Sequence, residues 1–393
     1  MRISELSAHI VRLRLRKEFK HASYARRFSD NLIVRCQLAD GTVGWGEGVP
    51  REYVTGESPQ GALAQLAATD LQHQLQADCL DWPDVFRLCE NYRPQISNED
   101  PRGCMANAHR CAVELSILDA FGRLFGDPLK KITSLYAASE PVRGESDRVQ
   151  YSSAISSGGI AKEMRSSLAM RLYGFRQCKV KVGMQADQDP DRLRRMRRWV
   201  GAGMDLRVDV NEAWAVQEVV QRIGELEPYG ISCVEQPVRH QEVAALSEIR
   251  EQVDVPLMLD ESLTSEADAA LAIQTGTCDL FNIRLSKCGG FLSSLRLAAM
   301  ARDAGLGYQL GCHPGESSIL SAAGRHFVTS VDFIRYREGS FDRHLLKDFI
   351  ADRDVTFGFG GWAPAITSPG LGININEQKL QPLVLETQSF KIA

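Results

Sequence analysis

No stretch of the 393-residue chain approaches the roughly 20 consecutive apolar residues that a membrane-spanning helix requires, so no spanning segment is expected. Charge of one sign is also lacking. The 46 basic and 50 acidic residues give a net charge of −4 and are scattered along the chain, which leaves no electrostatic footprint for nucleic acid or an anionic membrane. The densest basic run, Arg192 to Arg198 (RLRRMRR), suits the solvated face of a helix. The ten cysteines show no paired spacing for zinc, and Cys178, Cys233 and Cys312 fall inside apolar runs. Buried free thiols and a cytoplasmic location are therefore expected, and a disulfide framework is not. The N-terminus, MRISELSAHIVRLRLRKEF, has no continuous apolar core. It alternates instead, as a strand does and a signal peptide does not.

What is present is a regular rhythm. From about Tyr151, short β-rich runs recur at YSSAI, CKVKV, LRVDV, ISCVE, PLMLD, LFNIRL, GYQLGC and VDFIR. They are spaced by about 25 residues, and most intervals hold an amphipathic stretch, the pattern of successive βα units on a parallel sheet. Eight such runs favour a closed TIM-like barrel over an open sheet. Runs such as CVEQPV lack strict alternation, which suits strands covered on both faces. The first 147 or so residues form an α+β unit: alternating strands, a turn at Asp40-Gly41, and a helix from Met105 to Phe125 stopped by Gly126 and Pro128.

The chemistry gathers at the ends of these runs. Asp209 closes LRVDV, Glu235 closes ISCVE and Asp260 closes PLMLD. In a parallel barrel such positions surround one mouth, where loops vary while the strands hold side chains rigidly. Three hard oxygen ligands without histidine or cysteine point to a magnesium-type site. Lys179 and Lys181 lie two apart on one strand and so share a face. Lys287 follows the sixth run and approaches from the other side. Burial beside a cation and a second amine lowers a lysine toward useful basicity, and a dication stabilises charge that develops beside a carboxylate. Two amines on opposite sides of one carbon then permit proton removal on one face and delivery on the other. A Schiff-base lysine would leave the carboxylate trio without a purpose.

These residues resemble the enolase superfamily, specifically its muconate lactonizing enzyme subgroup within the mandelate racemase/muconate lactonizing enzyme family. The resemblance covers nearly the whole chain and rests on DGTVGWGE with YVTGES, KVKVG, VDVNEAW, VEQPV, LDES, LSKCGG and GCHPGES. It implies a modified (β/α)7β barrel at 148–359 and an α+β capping domain at 1–147, completed by the C-terminal segment 360–393. It further implies Asp209, Glu235 and Asp260 as ligands of Mg²⁺, with Mn²⁺ as an alternative. Lys181 and Lys287 match the acid/base pair, with Lys179 in support. Glu316, His313, Asn211 and Tyr53 are the implied substrate contacts, and the loops at 21–27 (HASYARR) and 52–57 (EYVTGE) match those that close over substrate. The mandelate racemase branch fits poorly despite His313, because the sixth strand carries Lys287. Dipeptide epimerases carry Asp-x-Asp at the end of the eighth strand. This chain has Ile334 to Glu338 (IRYRE) instead, which argues against a dipeptide; Arg335 and Arg337 could hold an anionic substrate end or equally be exposed, since the sequence does not say which side faces the pocket. The implied function is racemisation or epimerisation of a small carboxylate, an N-acyl amino acid or related anion, through an enolate. The alternative on the same scaffold is a cycloisomerase or dehydratase of the muconate cycloisomerase or o-succinylbenzoate synthase type. A homo-oligomer is also implied.

Overall fold

A computed structural model describes residues 1–20, 25–96, 100–156 and 158–392. The alternating N-terminal segment forms β1 (Ile3–Lys20), which continues into β2 (Ala25–Leu38) and β3 (Val43–Gly48) as an antiparallel meander. Asp40 and Gly41 make the turn between β2 and β3, Gly41 at φ 88°. The glycines of VGWGEG have a packing purpose. A Cβ at Gly46 would lie 1.9 Å from the Ala112 carbonyl oxygen, and one at Gly48 equally close to that of Ala108. The strand therefore lies directly on the helix Asn107–Phe125, an approach only glycine permits. That helix ends where Gly126 turns left-handed at φ 74°.

A short antiparallel pair brackets the main sheet in the chain, β4 (Arg148–Gln150) before it and β13 (Trp362–Pro364) after it. Eight parallel strands follow: β5 (Ser153–Ile155), β6 (Gln177–Lys181), β7 (Asp205–Asp209), β8 (Ile231–Glu235), β9 (Leu257–Leu259), β10 (Leu280–Ile283), β11 (Gly307–Leu310) and β12 (Ile334–Arg337). They neighbour one another in chain order, with helices in most of the connections. The Ser152 N–H, just ahead of β5, donates to the Arg337 carbonyl on β12 at 2.7 Å, so the two edges of the sheet are joined by a backbone hydrogen bond. The last strand, β14 (Val384–Lys391), returns to pair with β1 and completes the antiparallel sheet in the order β14-β1-β2-β3. Among the described residues no helix is long and apolar enough to cross a membrane.

One face of the parallel sheet is layered. Cys233, Met258, Leu280 and Tyr336 form a small apolar cluster of their own. Two residues further along the same strands stand Glu235, Asp260, Asn282 and Glu338. Arg207, fully buried, lies with its guanidinium 4.5 Å from the Tyr336 ring and 2.5 Å from a Glu338 oxygen. Buried charges cost several kcal/mol each unless paired in good geometry, and here they are paired.

One alternative is decided and one expectation needs correction. Arg335 faces the opposite way from Glu338: it is exposed beside Asp205, at the start of β7, and away from the strand ends. Arg337 has the same parity. The two-residue period that turns Tyr336 and Glu338 inward turns both arginines outward. Arg192 is not part of a solvated face. It is buried, paired to Glu163 at 2.5 Å, and donates to the Lys181 carbonyl. Helix Asp189–Val200 thus exposes Arg194 and Arg198 and uses Arg192 to hold the end of β6.

Candidate active site

The strand ends are bent by strained residues. Asn211 and Glu212 follow β7 at φ 48° and 65°, and Gln236 follows β8 at φ 41°. Non-glycine residues in this region cost about 1–3 kcal/mol each and persist where surroundings fix them. Gln236 shows how. Its side-chain carbonyl accepts from the Asp260 and Ser262 N–H groups, and its amide donates to Val238 O and Ser262 Oγ. The end of β8 is thereby locked to the end of β9.

At these ends charges alternate in a row. The Lys181 ammonium hydrogen-bonds Asn211 and lies 3.6 Å from Asp209 Oδ2. Lys179 lies 3.3 Å from the same Asp209 oxygen, 3.4 Å from Glu235, and 2.8 and 3.0 Å from the two Glu338 oxygens. Arg284 comes next, 3.9 Å from Glu235 and hydrogen-bonded to Asp260. Lys287 ends the row. Fully buried, its ammonium donates to Asp260 Oδ1 at 2.9 Å and to the carbonyls of Asp260 and Asn282 at 2.6 and 2.8 Å. The loop that carries it is braced from the N-terminal sheet and helix: the Val49 N–H donates to Ser286 Oγ, and the Asn107 amide donates to the carbonyls of Thr264 and Lys287.

The lysines differ electrostatically. For Lys179, burial opposes the charge, but Glu235, Glu338 and Asp209 outweigh it and raise the ammonium above its ordinary range. It is a fixed counter-ion. For Lys287, burial, reinforced by Arg284, pushes the ammonium down to about 8, within reach of a general base. Asp209 resists its own burial because Lys181, Lys179 and Arg284 hold its carboxyl below the ordinary range. Burial lifts Glu235, and it lifts Glu261 to about 7 with Asp209 and Glu212 adding repulsion.

Among the described residues Glu235 Oε2 and Glu261 Oε2 are buried without a hydrogen-bond donor, and Asp209 Oδ2 is buried with the Lys179 and Lys181 ammonium groups as its ion-pair partners. Buried carboxylate oxygens need a partner, and hard, anionic, histidine-free donors suit a cation of the magnesium type. Among the described residues no three such side chains already surround one point in ligand geometry; Lys179 and Arg284 stand between them.

Beyond the row lie the expected substrate contacts. Tyr53, at the start of helix Glu52–Thr55, is near enough to act on the charge of Arg284. His313 is buried with neither ring nitrogen hydrogen-bonded, 3.9 Å from Glu316. Burial, then Arg284, Arg51, Lys287 and Arg26, keep it neutral. Glu316 accepts from the His313 N–H and is pushed up to about 8 by burial. With Glu338 it lines a separate cavity of about 10 Å³, the room of a single water. Arg26 donates to the Pro314 carbonyl and so reaches the 313–316 loop from β2, while Arg51, on the turn after β3, donates to Ser29 Oγ on β2. Positions 21–24 of the first covering loop lie outside the described residues. The sequence alone gave no role to Arg284, Glu261, Glu338 or Arg51. Only the adjacency of Glu261 to Asp260 in LDESL, and of Arg284 to Lys287 in NIRLSK, offered a signal.

Residues 160–379 match the family model described as Enolase C-terminal domain-like. The N-succinyl-L-Arg/Lys racemase of Bacillus cereus is 29% identical over 98% of both chains. Its crystal structure superposes at a TM-score of 0.86, covering 100% of each chain. The L-Lys-D/L-Arg epimerase of Methylococcus capsulatus is 30% identical over 87% of this chain and 91% of its own. The dipeptide epimerase of Cytophaga hutchinsonii, solved with Mg and D-Ala-L-Val, superposes at 0.83 with 25% identity, over 99% of this chain and 100% of its own. With over half of its length inside the family model and relatives of this kind along nearly all of it, the chain belongs to the enolase superfamily, in its mandelate racemase/muconate lactonizing enzyme branch.

Proposed function

We propose that the protein is a metal-dependent racemase or epimerase that moves the proton on the carbon next to the carboxylate of a small anionic substrate, an N-acylated amino acid or close analogue. The observation that carries this reading is the placement of Lys181 at the Asp209 end and Lys287 at the Asp260 end of one carboxylate row. Asp209, Glu235 and Asp260 would hold Mg²⁺, or Mn²⁺ in its place, with Glu235 Oε2 free of a donor and Asp260 released from Arg284. When bound, the ion supplies positive charge where the substrate carboxylate gains negative charge on deprotonation. Every proton transfer belongs to the chain. Lys287, already depressed by burial, takes the proton on its side; Lys181 delivers one from the other, and the roles exchange for the opposite isomer. Lys179, held cationic, keeps Asp209 and Glu235 ionised and fixed.

Substrate choice follows from charge. The charges of Arg284, Arg51 and Arg26 all act on the buried His313 side chain, and this concentration of positive charge favours a ligand with an anionic group besides the reacting carboxylate. The succinyl group in the name of the Bacillus cereus relative is of that chemistry. The joined edges of the parallel sheet support closure into a (β/α)7β barrel under a cap at 1–147 with 360–393. Incubation of N-succinyl amino acids in deuterated water with Mg²⁺ tests the reading: deuterium should enter the α-position and the opposite isomer should appear. Ring closure or loss of water with no inverted substrate would point to the lyase alternative instead.

A further inference from the structure

A cavity of about 340 Å³ lies between helix Asn107–Phe125, the end of helix Trp82–Asn91, and the loops that follow β9 and β10. None of Lys181, Asp209, Glu235 or Asp260 lines it, but Cys288 and Gly289, next to Lys287, do. Four arginines face it, and their partners differ. Arg102 pairs with Asp268 at 2.8 Å, and Arg296 pairs with Glu266 at 2.7 Å and Glu90 at 3.4 Å. Glu114 is committed elsewhere: it caps helix Phe291–Asp303 by accepting from the Phe291 and Leu292 N–H groups. Among the described residues the exposed Arg93 guanidinium donates to the carbonyls of Glu90 and Tyr92 and has no acidic partner. Among the described residues the Arg110 guanidinium has no hydrogen bond or ion pair, and its Nε is buried without an acceptor. Burial, then Arg93, pull its ionisation down, against the opposing charges of Asp100 and Glu57.

The Arg110 Nε, buried without an acceptor among the described residues, is costly unless something joins it, and the exposed Arg93 guanidinium at the same cavity wall can share that ligand. A forked pair of this kind matches an oxyanion that accepts several hydrogen bonds at once. We propose that this cavity binds a small molecule through a dianionic oxyanion group, of the phosphate type, held between Arg93 and Arg110. The volume exceeds that of the anion, so the remainder of the ligand has room. The site is independent of the proposed catalytic row and is tested by binding rather than by turnover.

The probe is inorganic phosphate, with succinate as a second arm, added at constant ionic strength and neutral pH to the full-length protein. Calorimetry and thermal melting are the readouts. Phosphate should bind saturably at one site per chain and raise Tm. Arg110→Met and Arg93→Met should each weaken it by about tenfold or more, the scale of one charge-assisted hydrogen bond. Arg51→Met, which alters the pocket around His313, should leave it intact. Without phosphate, Arg110→Met should melt close to the wild type, because the guanidinium makes no hydrogen bond or ion pair among the described residues. Succinate binding with the same dependence on Arg110 would also support an oxyanion site and make the ligand a carboxylate. Absence of saturable binding, binding indifferent to Arg110, or binding lost in Arg51→Met would each overturn the proposal.

Discussion

Lys181 and Lys287 terminate one row of carboxylates from opposite ends, the first 3.6 Å from Asp209 and the second 2.9 Å from Asp260. Between them Lys179 links Asp209 to Glu235, and Arg284 links Glu235 to Asp260. The two amines therefore see different neighbours and different degrees of burial, although both serve the same group of anions.

Arg284 stands where a cation is wanted. Replacing it with Met should strengthen Mg²⁺ binding by calorimetry, because Asp260 and Glu235 lose a competing positive charge. The metal-free variant should be less stable by about 3–5 kcal/mol, the cost of leaving a buried partner unpaired, and added Mg²⁺ should restore much of that. Weaker metal binding in Arg284→Met would assign the guanidinium to holding the site together rather than to competing for it.

Glu338 answers two buried cations, Lys179 and Arg207, and their charges hold its carboxyl down to about 2 against the opposing effect of burial. Glu338→Gln should destabilise the protein by about 3–5 kcal/mol in urea unfolding. It should also loosen Lys179, so that Glu338→Gln and Lys179→Met are strongly non-additive. Additive losses would show that the two groups act separately.

The contrast between Glu338 and its neighbours marks how far the sequence carries. Asp209, Glu235 and Asp260 were legible because each is an acid closing an apolar run, and strand ends in a parallel sheet share one side. Lys179 and Lys181 were legible by their spacing of two. Strand β12 was not, although Ile334 and Tyr336 alternate with Arg335 and Arg337, because in a sheet covered on both faces the apolar parity does not say which side carries the charged layer. Of the two readings open for the arginines, exposure holds for Arg335, and it is the acid beside them, Glu338, that enters the charged layer. Arg192 was hidden for a related reason: within RLRRMRR every residue looks solvated, and only the crossing of that helix over the end of β6 selects one. Arg51 lies far in sequence from everything it meets in space.

Two buried histidines set an acid limit on stability. His109 and His326 are both pushed by burial from 6.5 to about 3. His326 accepts the Lys130 N–H through Nδ1 while Nε2 faces the Leu371 carbonyl, so only the neutral ring satisfies both. Because the unfolded chain binds these protons more readily than the folded one, their stabilisation is complete above pH 6.5 and is lost as the pH falls toward 3. The loss is about 1.4 kcal/mol per pH unit for each ring. Urea unfolding between neutral and mildly acid pH should show it, and His326→Gln should roughly halve the contribution of the pair. An unchanged pH slope in that variant would contradict the assignment.

The seat of β3 on its helix is tight. Gly46→Ala should lower stability by about 1–3 kcal/mol, the range for overpacking in a core, since the new methyl would meet the Ala112 carbonyl. A variant that melts with the wild type would mean that the strand and helix separate at little cost.

The most direct test follows each isomer of a processed substrate in deuterated water with Mg²⁺, in the wild type, Lys181→Ala and Lys287→Ala. Both variants should lose interconversion by about a hundredfold or more, the usual share of a positioned acid or base. Each should retain deuterium exchange in one isomer only, the opposite one in the two variants. Exchange of both isomers in either single variant would contradict the assignment of one amine to each face of the carbon.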